Sequence, residues 1–151
     1  MSYPVADLRH YLRGSWMLSR ILMDRLSGAS GSFLGWASFQ ERPGERDGAL
    51  DYSERGQMLF GDYSGISFRS YRYSFPSPGR ADVHFTDGRL FHALDLTEGA
   101  ADAVHHCGED VYSGRFDACR DSLWDSAWHV TGPRKDLVIS NRYVRGCAEA
   151  P

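Results

Sequence analysis

Hydrophobic and polar residues alternate along most of the chain. Between Ser122 and Val130, for instance, Trp124, Trp128 and Val130 lie two or four positions apart. A period of two is typical of a strand that buries one face, because successive side chains point to opposite sides of a sheet. The pattern predicts nine or ten strands. They are expected near residues 15–26, 32–41, 50–54, 66–75, 83–86, 89–92, 103–107, 110–112, 122–130 and 136–144.

One hairpin is marked by Asp87-Gly88, which lies between two alternating runs. An Asp-Gly pair in this setting is the strongest short-range signal for a two-residue turn. Such a turn pairs Phe85 with Leu90 and Val83 with His92. The face that includes Val83 is the more apolar one, so we expect it to point inward. The opposite arrangement would bring His84 and Phe91 inside.

A second hairpin is predicted around Gly108-Glu109, with His105 opposite Tyr112. Both side chains share the parity of residues expected inside the barrel. A polar group on a core-facing position must find a partner or cost stability. The recurrence of such positions therefore predicts an internal binding cavity. The same parity holds for Arg20, Glu54, Arg69, Tyr71 and His92.

One short helix is predicted ahead of the strands, over residues 4–13. Pro4 suits a first helical turn and Gly14 ends the helix. Consecutive hairpins after one helix predict an all-β protein, an antiparallel up-and-down β-barrel of about nine to ten strands. A barrel of that size is wider than side chains alone would fill. One domain is expected over residues 1–146, followed by a short tail at 147–151.

Composition narrows the functional classes. The chain has 151 residues, a net charge of −3 and no basic stripe, so binding to nucleic acid is not expected. No apolar run reaches the length of a membrane span, and the first residues do not resemble a secretory signal. Cys107, Cys119 and Cys147 are expected to be free thiols. We therefore expect a cytoplasmic monomer or homodimer without a membrane partner.

Three inward polar residues are candidates for acid–base catalysis. His105 beside the Tyr112 phenol could pass a proton near pH 7. Glu54 with a raised pKa could act as a general acid or base. The alternative is structural, with a His105–Tyr112 hydrogen bond that fixes the hairpin and an ion pair between Glu54 and a buried arginine. The sequence carries no hydrolase, kinase or dehydrogenase motif.

Other inward residues are candidates for ligand contacts. An arginine that faces a cavity selects a carboxylate, a phosphate or a polarised carbonyl, because its planar fork matches such oxygens. Arg20 and Arg69 could do this, or they could form a closed salt bridge with Glu54. Aromatic side chains would serve as cavity walls or as core packing. The candidate ligand-binding residues are Arg20, Arg69, His92, Tyr52, Tyr71, Trp124 and Trp128.

Two sets of residues carry a family resemblance. Gly14-Ser15-Trp16 and a final Arg142 or Arg145 resemble the calycin superfamily, in which the arginine lies over the tryptophan ring at the barrel floor. Longer segments resemble an uncharacterised family of small bacterial domains of unknown function. These segments are residues 12–16, Phe91–Leu96, the hairpin from His105-x-Cys107 to Tyr112-x-Gly114, and Trp128-x-Val130-x-Gly132-Pro133-x-Lys135-Asp136. The resemblance implies a lipocalin-like, fatty-acid-binding or nitrobindin-like barrel and no established activity.

The expected function is binding of a small, partly aromatic or anionic molecule in the barrel cavity. The alternative is a cofactor-independent isomerase, cyclase or lyase that uses His105, Tyr112 and Glu54 in the same cavity. No cofactor is expected. The resemblance to nitrobindin-like barrels suggests haem as an alternative, with His92 or His105 as the axial ligand. A zinc site would need three or four converging ligands, so no metal site is expected.

Overall fold

The structure is a computed structural model that describes residues 2–146. The expected tail at 147–151, with Cys147, lies outside the described residues. Cys107 and Cys119 are free thiols. A single helix precedes the strands, as predicted. The elements are α1 (Leu8–Leu12), β1 (Gly14–Asp24), β2 (Ser30–Gln40), β3 (Leu50–Phe60), β4 (Tyr63–Ser77), β5 (Arg80–His84), β6 (Leu90–Asp95), β7 (Ala100–Cys107), β8 (Asp110–Arg120), β9 (Leu123–Gly132) and β10 (Lys135–Arg145).

The ten strands form one antiparallel sheet that curls into a nearly closed barrel. Their order is β6-β5-β4-β3-β2-β1-β10-β9-β8-β7, so β1 and β10 join the two ends of the chain. That junction is long, running from Trp16 opposite Arg145 to Asp24 opposite Leu137. The edge strands β6 and β7 approach each other and complete the wall. The predicted all-β, antiparallel barrel of nine to ten strands is confirmed.

The helix is shorter than predicted and begins at Leu8 instead of Pro4. Asp7 caps it, because its carboxylate accepts a hydrogen bond from the backbone N–H of His10 at 3.0 Å. Residues 2–7 are not helical, and the Val5 N–H donates to a backbone carbonyl just beyond β6. Pairing with the barrel thus replaces a first helical turn. Within residues 2–146, no helix has the length and apolar character needed to cross a membrane.

The helix end of the barrel is closed by Trp16 and Arg145. The Trp16 ring is fully buried, and its indole N–H donates to the Leu12 carbonyl at 2.7 Å. The Arg145 guanidinium lies 3.9 Å from the centroid of that ring. It also donates to the Arg13 carbonyl at 2.7 Å and to the Tyr11 carbonyl. One arginine therefore fastens the last strand to both the helix end and the floor of the barrel.

The β7–β8 hairpin has the predicted register. Cys107 lies opposite Asp110, and His105 lies opposite Tyr112. Gly108 has a φ of +59°, as a tight turn between these strands requires. The hairpin therefore places His105 and Tyr112 side by side at the end of the barrel opposite the helix.

The β5–β6 hairpin differs from the prediction. Val83 lies opposite His92 as expected, but Leu90 pairs with His84 instead of Phe85, which makes a bulge at Phe91. Leu90 therefore points outward and is 54% exposed, so its expected inward position is wrong. His92 belonged to the favoured inward face and Phe91 to the opposite one, and the bulge brings both side chains into the interior.

A three-residue loop explains the bulge at Phe91. The Gly88 N–H donates to the Phe85 carbonyl, and the Phe85 N–H donates to the Arg89 carbonyl, both at 2.9 Å. Gly88 has a φ of +92°, whereas no non-glycine residue in the described chain has a positive φ. A two-residue turn of the common type would need a positive φ at Asp87 as well.

We expect Arg145→Ala to lower the free energy of unfolding by about 2 kcal/mol, because it removes a cation–π contact and two hydrogen bonds. The matched control is Arg142→Ala on the same strand, since Arg142 is exposed and pairs with Asp125 in solvent. That change should cost less than about 1 kcal/mol. Urea unfolding followed by tryptophan fluorescence measures both. Equal losses would contradict the fastening role of Arg145.

Candidate functional site

The barrel contains a cavity of about 390 Å³ that is open to solvent on one side. It lies between the middle of the barrel and the end opposite α1, where the β5–β6 and β7–β8 turns are found. An open space beside His105 is the feature that distinguishes an internal site from a filled core. All ten sequence-predicted site residues line this cavity, namely Arg20, Tyr52, Glu54, Arg69, Tyr71, His92, His105, Tyr112, Trp124 and Trp128.

A buried ion pair between Arg20 on β1 and Glu54 on β3 lies inside the barrel and spans the intervening strand β2. The guanidinium donates to both carboxylate oxygens, at 2.7 and 3.0 Å. Both side chains are about 95% buried. The Arg20 guanidinium also lies 5.0 Å from the centroid of the Phe33 ring. This is the structural arrangement named as the alternative for Arg20, and it occupies both oxygens of Glu54.

A line of hydrogen bonds runs from the tyrosines into this ion pair. The Tyr52 hydroxyl donates to Glu54, because a carboxylate can only accept. The Tyr143 hydroxyl, 3.0 Å from the Tyr52 oxygen, must then be the donor of that contact. Both phenol protons are therefore committed within the network.

A second line leaves the ion pair on its other side. The Arg20 Nε donates to the Asn141 Oδ1 at 2.5 Å, so the amide orientation of Asn141 is fixed. The Asn141 Nδ2 consequently donates to the Ser126 Oγ at 3.0 Å. Ser126 is 5% exposed and lines the cavity. The polar network thus ends at a serine hydroxyl on the cavity wall.

Glu54 is held in its ionised form. Burial raises the pKa of its carboxyl, but hydrogen bonds from Arg20 and Tyr52 lower it more, and the result lies below the ordinary value. The expected raised pKa of Glu54 is therefore wrong. The cause is the bidentate arginine, which favours the charged form more strongly than burial disfavours it.

Arg69 stays outside this closed pair. It lies opposite Glu54 in the β3–β4 register, yet the Glu54 oxygens are already taken by Arg20 and Tyr52. Among residues 2–146, no carboxylate forms a salt bridge with Arg69. Its side chain is exposed and still borders the cavity. Exposed Arg69 thus marks the entrance of the cavity with a positive charge that lies outside the Arg20–Glu54 ion pair.

Aromatic rings form the walls around His105. Phe91 stacks on Phe85 at 4.8 Å and on Trp128 at 5.2 Å, with interplanar angles of 21° and 18°. His105 meets the Phe91 ring edge-on at 5.1 Å. The Tyr112 ring also approaches Phe91 edge-on, at 6.2 Å. Phe91 is the hub of this cluster, and the bulge in β6 is what places it there.

His105 and Tyr112 touch without a hydrogen bond between them in the described structure. Their ring centroids are 5.9 Å apart with an interplanar angle of 68°. Both side chains are half-buried on the cavity wall. The arrangement is an edge-to-face aromatic contact, so the hydrogen bond named as the structural alternative is not formed.

His92 is buried and neutral. Burial lowers the pKa of its imidazole to about 4. Its Nδ1 lies 3.1 Å from the Ala93 carbonyl, which can only accept, so Nδ1 carries the proton. The other nitrogen, Nε2, is then a hydrogen-bond acceptor. Since His92 lines the cavity, that acceptor is available to a ligand.

Trp124 packs deep in the barrel with one polar atom unsatisfied. Its ring stacks on Tyr143 at 3.7 Å with an interplanar angle of 5°. The indole N–H is buried and has no hydrogen-bond partner in the part of the chain that the structure describes. An unsatisfied buried donor costs stability. Trp124 also lines the cavity.

Several cavity residues were not predicted as site residues. Ser126, Asn141 and Tyr143 share the inward parity of their strands, so alternation alone could have found them. Phe85 shares the parity of Val83 and was expected on the inward face, whereas the inward position of Phe91 depends on the three-residue loop. Residues 2–146 contain no group of three or more metal-ligating side chains that could hold an ion.

The chain belongs to a family of unknown function (DUF6314), whose model matches residues 12–145. This confirms the resemblance to an uncharacterised family. No curated protein matches the sequence.

Solved structures share the fold at low sequence identity. The S-type phycobiliprotein lyase CPES from Guillardia theta has a TM-score of 0.68 at 8% identity, over 94% of this chain and 92% of that chain. A DUF3598 protein of unknown function from Nostoc punctiforme has a TM-score of 0.63 at 10% identity, over 96% of this chain and 51% of that one. This chain thus spans about half of that protein. Both neighbours are lipocalin-like barrels, which confirms the calycin-like fold.

A third structure, EF1p2_mFAP2b bound to DFHBI, has a TM-score of 0.50 at 12% identity. The match covers 94% of this chain and 99% of that chain. At such identities, these likenesses show the fold alone.

Glu54→Gln should lower the free energy of unfolding by about 3–5 kcal/mol at pH 7, because it leaves the buried Arg20 charge unpaired. Glu41→Gln, at an exposed ion pair with Arg9, is the control and should cost less than about 1 kcal/mol. Because folding lowers the pKa of Glu54, the ionised carboxylate contributes its full stability above pH 4.5, the ordinary pKa. That stability is lost as the pH falls through the lowered pKa of the folded state. Urea unfolding measures each loss, and a small effect of Glu54→Gln would refute the pairing.

The lowered pKa of His92 predicts a second pH dependence. The folded protein keeps His92 neutral, whereas the unfolded chain takes up a proton there below pH 6.5. The free energy of unfolding is therefore unaffected by His92 above pH 6.5 and decreases as the pH falls toward 4. Between pH 7.5 and 4.5, we expect the wild type to lose roughly 2–3 kcal/mol more than His92→Phe. His106→Phe, at an exposed position, should retain the wild-type loss. Parallel urea-unfolding profiles for all three proteins would contradict a buried neutral His92.

Proposed function

We propose that this member of the DUF6314 family binds a small, planar, aromatic molecule inside its barrel, with an anionic group toward the entrance. The observation that carries this proposal is the cavity of about 390 Å³ beside His105, walled by stacked rings. Small-molecule pockets commonly have volumes of about 300–1,000 Å³ and combine apolar walls with a few polar groups. A ligand of two or three fused rings is of suitable size.

The wall chemistry supports an aromatic ligand. Phe85, Phe91 and Trp128 form one stacked column, which His105 and Tyr112 meet edge-to-face, and all five side chains line the cavity. Aromatic rings pair favourably in both offset-stacked and edge-to-face arrangements. A flat ring entering this space can therefore gain contacts with several walls at once.

The charge at the entrance supports an anionic group. Arg69 borders the cavity without a salt-bridge partner in the described chain, whereas Arg20 is fully engaged by Glu54. A guanidinium forms its strongest hydrogen bonds with carboxylate or phosphate oxygens. We therefore assign anion recognition to Arg69, and a structural role to Arg20.

The structural neighbours are compatible with ligand binding in such a barrel. One is a phycobiliprotein lyase, and another was solved bound to DFHBI. Neither likeness identifies the ligand of this chain, because the sequence identities are 8% and 12%. The proposal rests on the cavity and its walls.

Isothermal titration calorimetry with 2-naphthoate tests this function, and we expect one site with a dissociation constant below about 100 µM. His105→Trp should weaken binding at least about tenfold by filling the cavity. His106→Trp is the matched control, because the neighbouring residue is exposed on the outer face of the same strand. Absence of saturable binding, or equal effects of the two variants, would overturn the proposal.

The role of Arg69 is tested with the same calorimetry. Arg69→Gln should weaken 2-naphthoate about tenfold and leave naphthalene unchanged, since only the first ligand carries a carboxylate. Arg55→Gln, at an exposed position on β3, controls for the general loss of positive charge. An equal effect on both ligands would show that Arg69 does not recognise the anion.

A further inference from the structure

The directions of the hydrogen bonds inside the barrel define which polar atoms a ligand must present. We propose that the ligand places a hydrogen-bond acceptor, such as a carbonyl oxygen, against the Ser126 hydroxyl, and an N–H or O–H donor against the Nε2 of His92. This inference rests on the proposed function and adds a chemical class to it. The class is planar aromatic molecules with both a carbonyl-type oxygen and a hydrogen-bond donor, such as lactams.

Ser126 is an available donor because its acceptor role is already filled. Arg20 can only donate, so Asn141 must turn its Oδ1 toward Arg20 and its Nδ2 toward Ser126. The Ser126 Oγ thus accepts from Asn141. Its own O–H has no acceptor among the hydrogen bonds of residues 2–146. A 95% buried hydroxyl on the cavity wall therefore offers one proton to the cavity.

The ion pair strengthens this donor. Ser126 is the last member of a line that begins at the Glu54–Arg20 pair and passes through Asn141. Each group that donates along such a line polarises the next, so the terminal O–H becomes a better donor. The buried charges thus act on a ligand without touching it.

His92 supplies the complementary acceptor. Its Nδ1 proton is committed to the Ala93 carbonyl, so the tautomer is fixed and Nε2 is unprotonated. The ring is packed between Phe91, Phe116 and Trp128, with centroid distances of 4.8 to 5.3 Å. These contacts hold the imidazole in place. A ligand that offers no donor at this position would leave a buried acceptor unpaired, which is penalised.

Three compounds of similar shape separate these contacts. Quinolin-2(1H)-one has a carbonyl and an N–H, its N-methyl derivative has only the carbonyl, and naphthalene has neither. With the wild type, we expect quinolin-2(1H)-one to bind about three- to tenfold more tightly than the N-methyl derivative. This comparison requires no variant, so it holds even if a substitution impairs folding.

Variants then assign each contact to a residue. Ser126→Ala should weaken both carbonyl compounds about three- to tenfold and leave naphthalene unchanged. His92→Phe should weaken quinolin-2(1H)-one alone by a similar factor. Ser113→Ala, at an exposed position on β8, should change none of the affinities. Thermal unfolding of each variant verifies that it is folded before titration.

The outcomes distinguish this inference from the proposed function. If all three compounds bind and neither Ser126→Ala nor His92→Phe discriminates among them, the polar assignment is overturned and the aromatic cavity stands. Equal weakening of all three compounds by a variant also overturns it, because that result shows a loss of shape. If none of the three compounds binds the wild type but 2-naphthoate does, the polar assignment is overturned and the proposed function stands. If 2-naphthoate does not bind either, both fail.

Discussion

The interior of this barrel is organised around one buried ion pair. Burial of the Arg20 and Glu54 charges costs a large desolvation free energy, so their remaining donors and acceptors must be satisfied by other groups. The contacts that satisfy them come from β3, β9 and β10, which lie on both sides of β1 in the barrel wall. Removal of either charge would leave the other unpaired, which explains why the surrounding polar side chains occur in strands that are otherwise rich in aromatic residues.

The ion pair also divides the interior into two parts. Toward the helix, Trp16, Leu18, Phe39 and Leu50 are fully buried and fill the floor. Toward the opposite end, ten strands enclose more space than the side chains occupy, and a cavity remains. The apolar floor contributes stability. The ion pair and the side chains hydrogen-bonded to it place fixed polar groups at the base of the cavity. Such preorganisation lowers the entropic cost of binding.

The sequence predicted the parts of the structure that depend on local periodicity. Alternation placed Arg20 and Glu54 inside, and the Gly108 turn placed His105 opposite Tyr112. It did not predict Phe91 at the centre of the aromatic cluster, because an Asp-Gly pair fits both a two-residue and a three-residue loop. The donor role of Ser126 was equally hidden, since it depends on hydrogen-bond directions set by residues far apart in the chain.

A crystal structure of the protein with quinolin-2(1H)-one tests the account most directly. The account predicts electron density for the ring system inside the barrel, packed against Phe91 and Trp128. The carbonyl oxygen should lie within hydrogen-bond distance of the Ser126 Oγ, and the ring nitrogen within that distance of the His92 Nε2. A barrel whose side chains close the space, with the compound absent or bound on the outer surface, would contradict it.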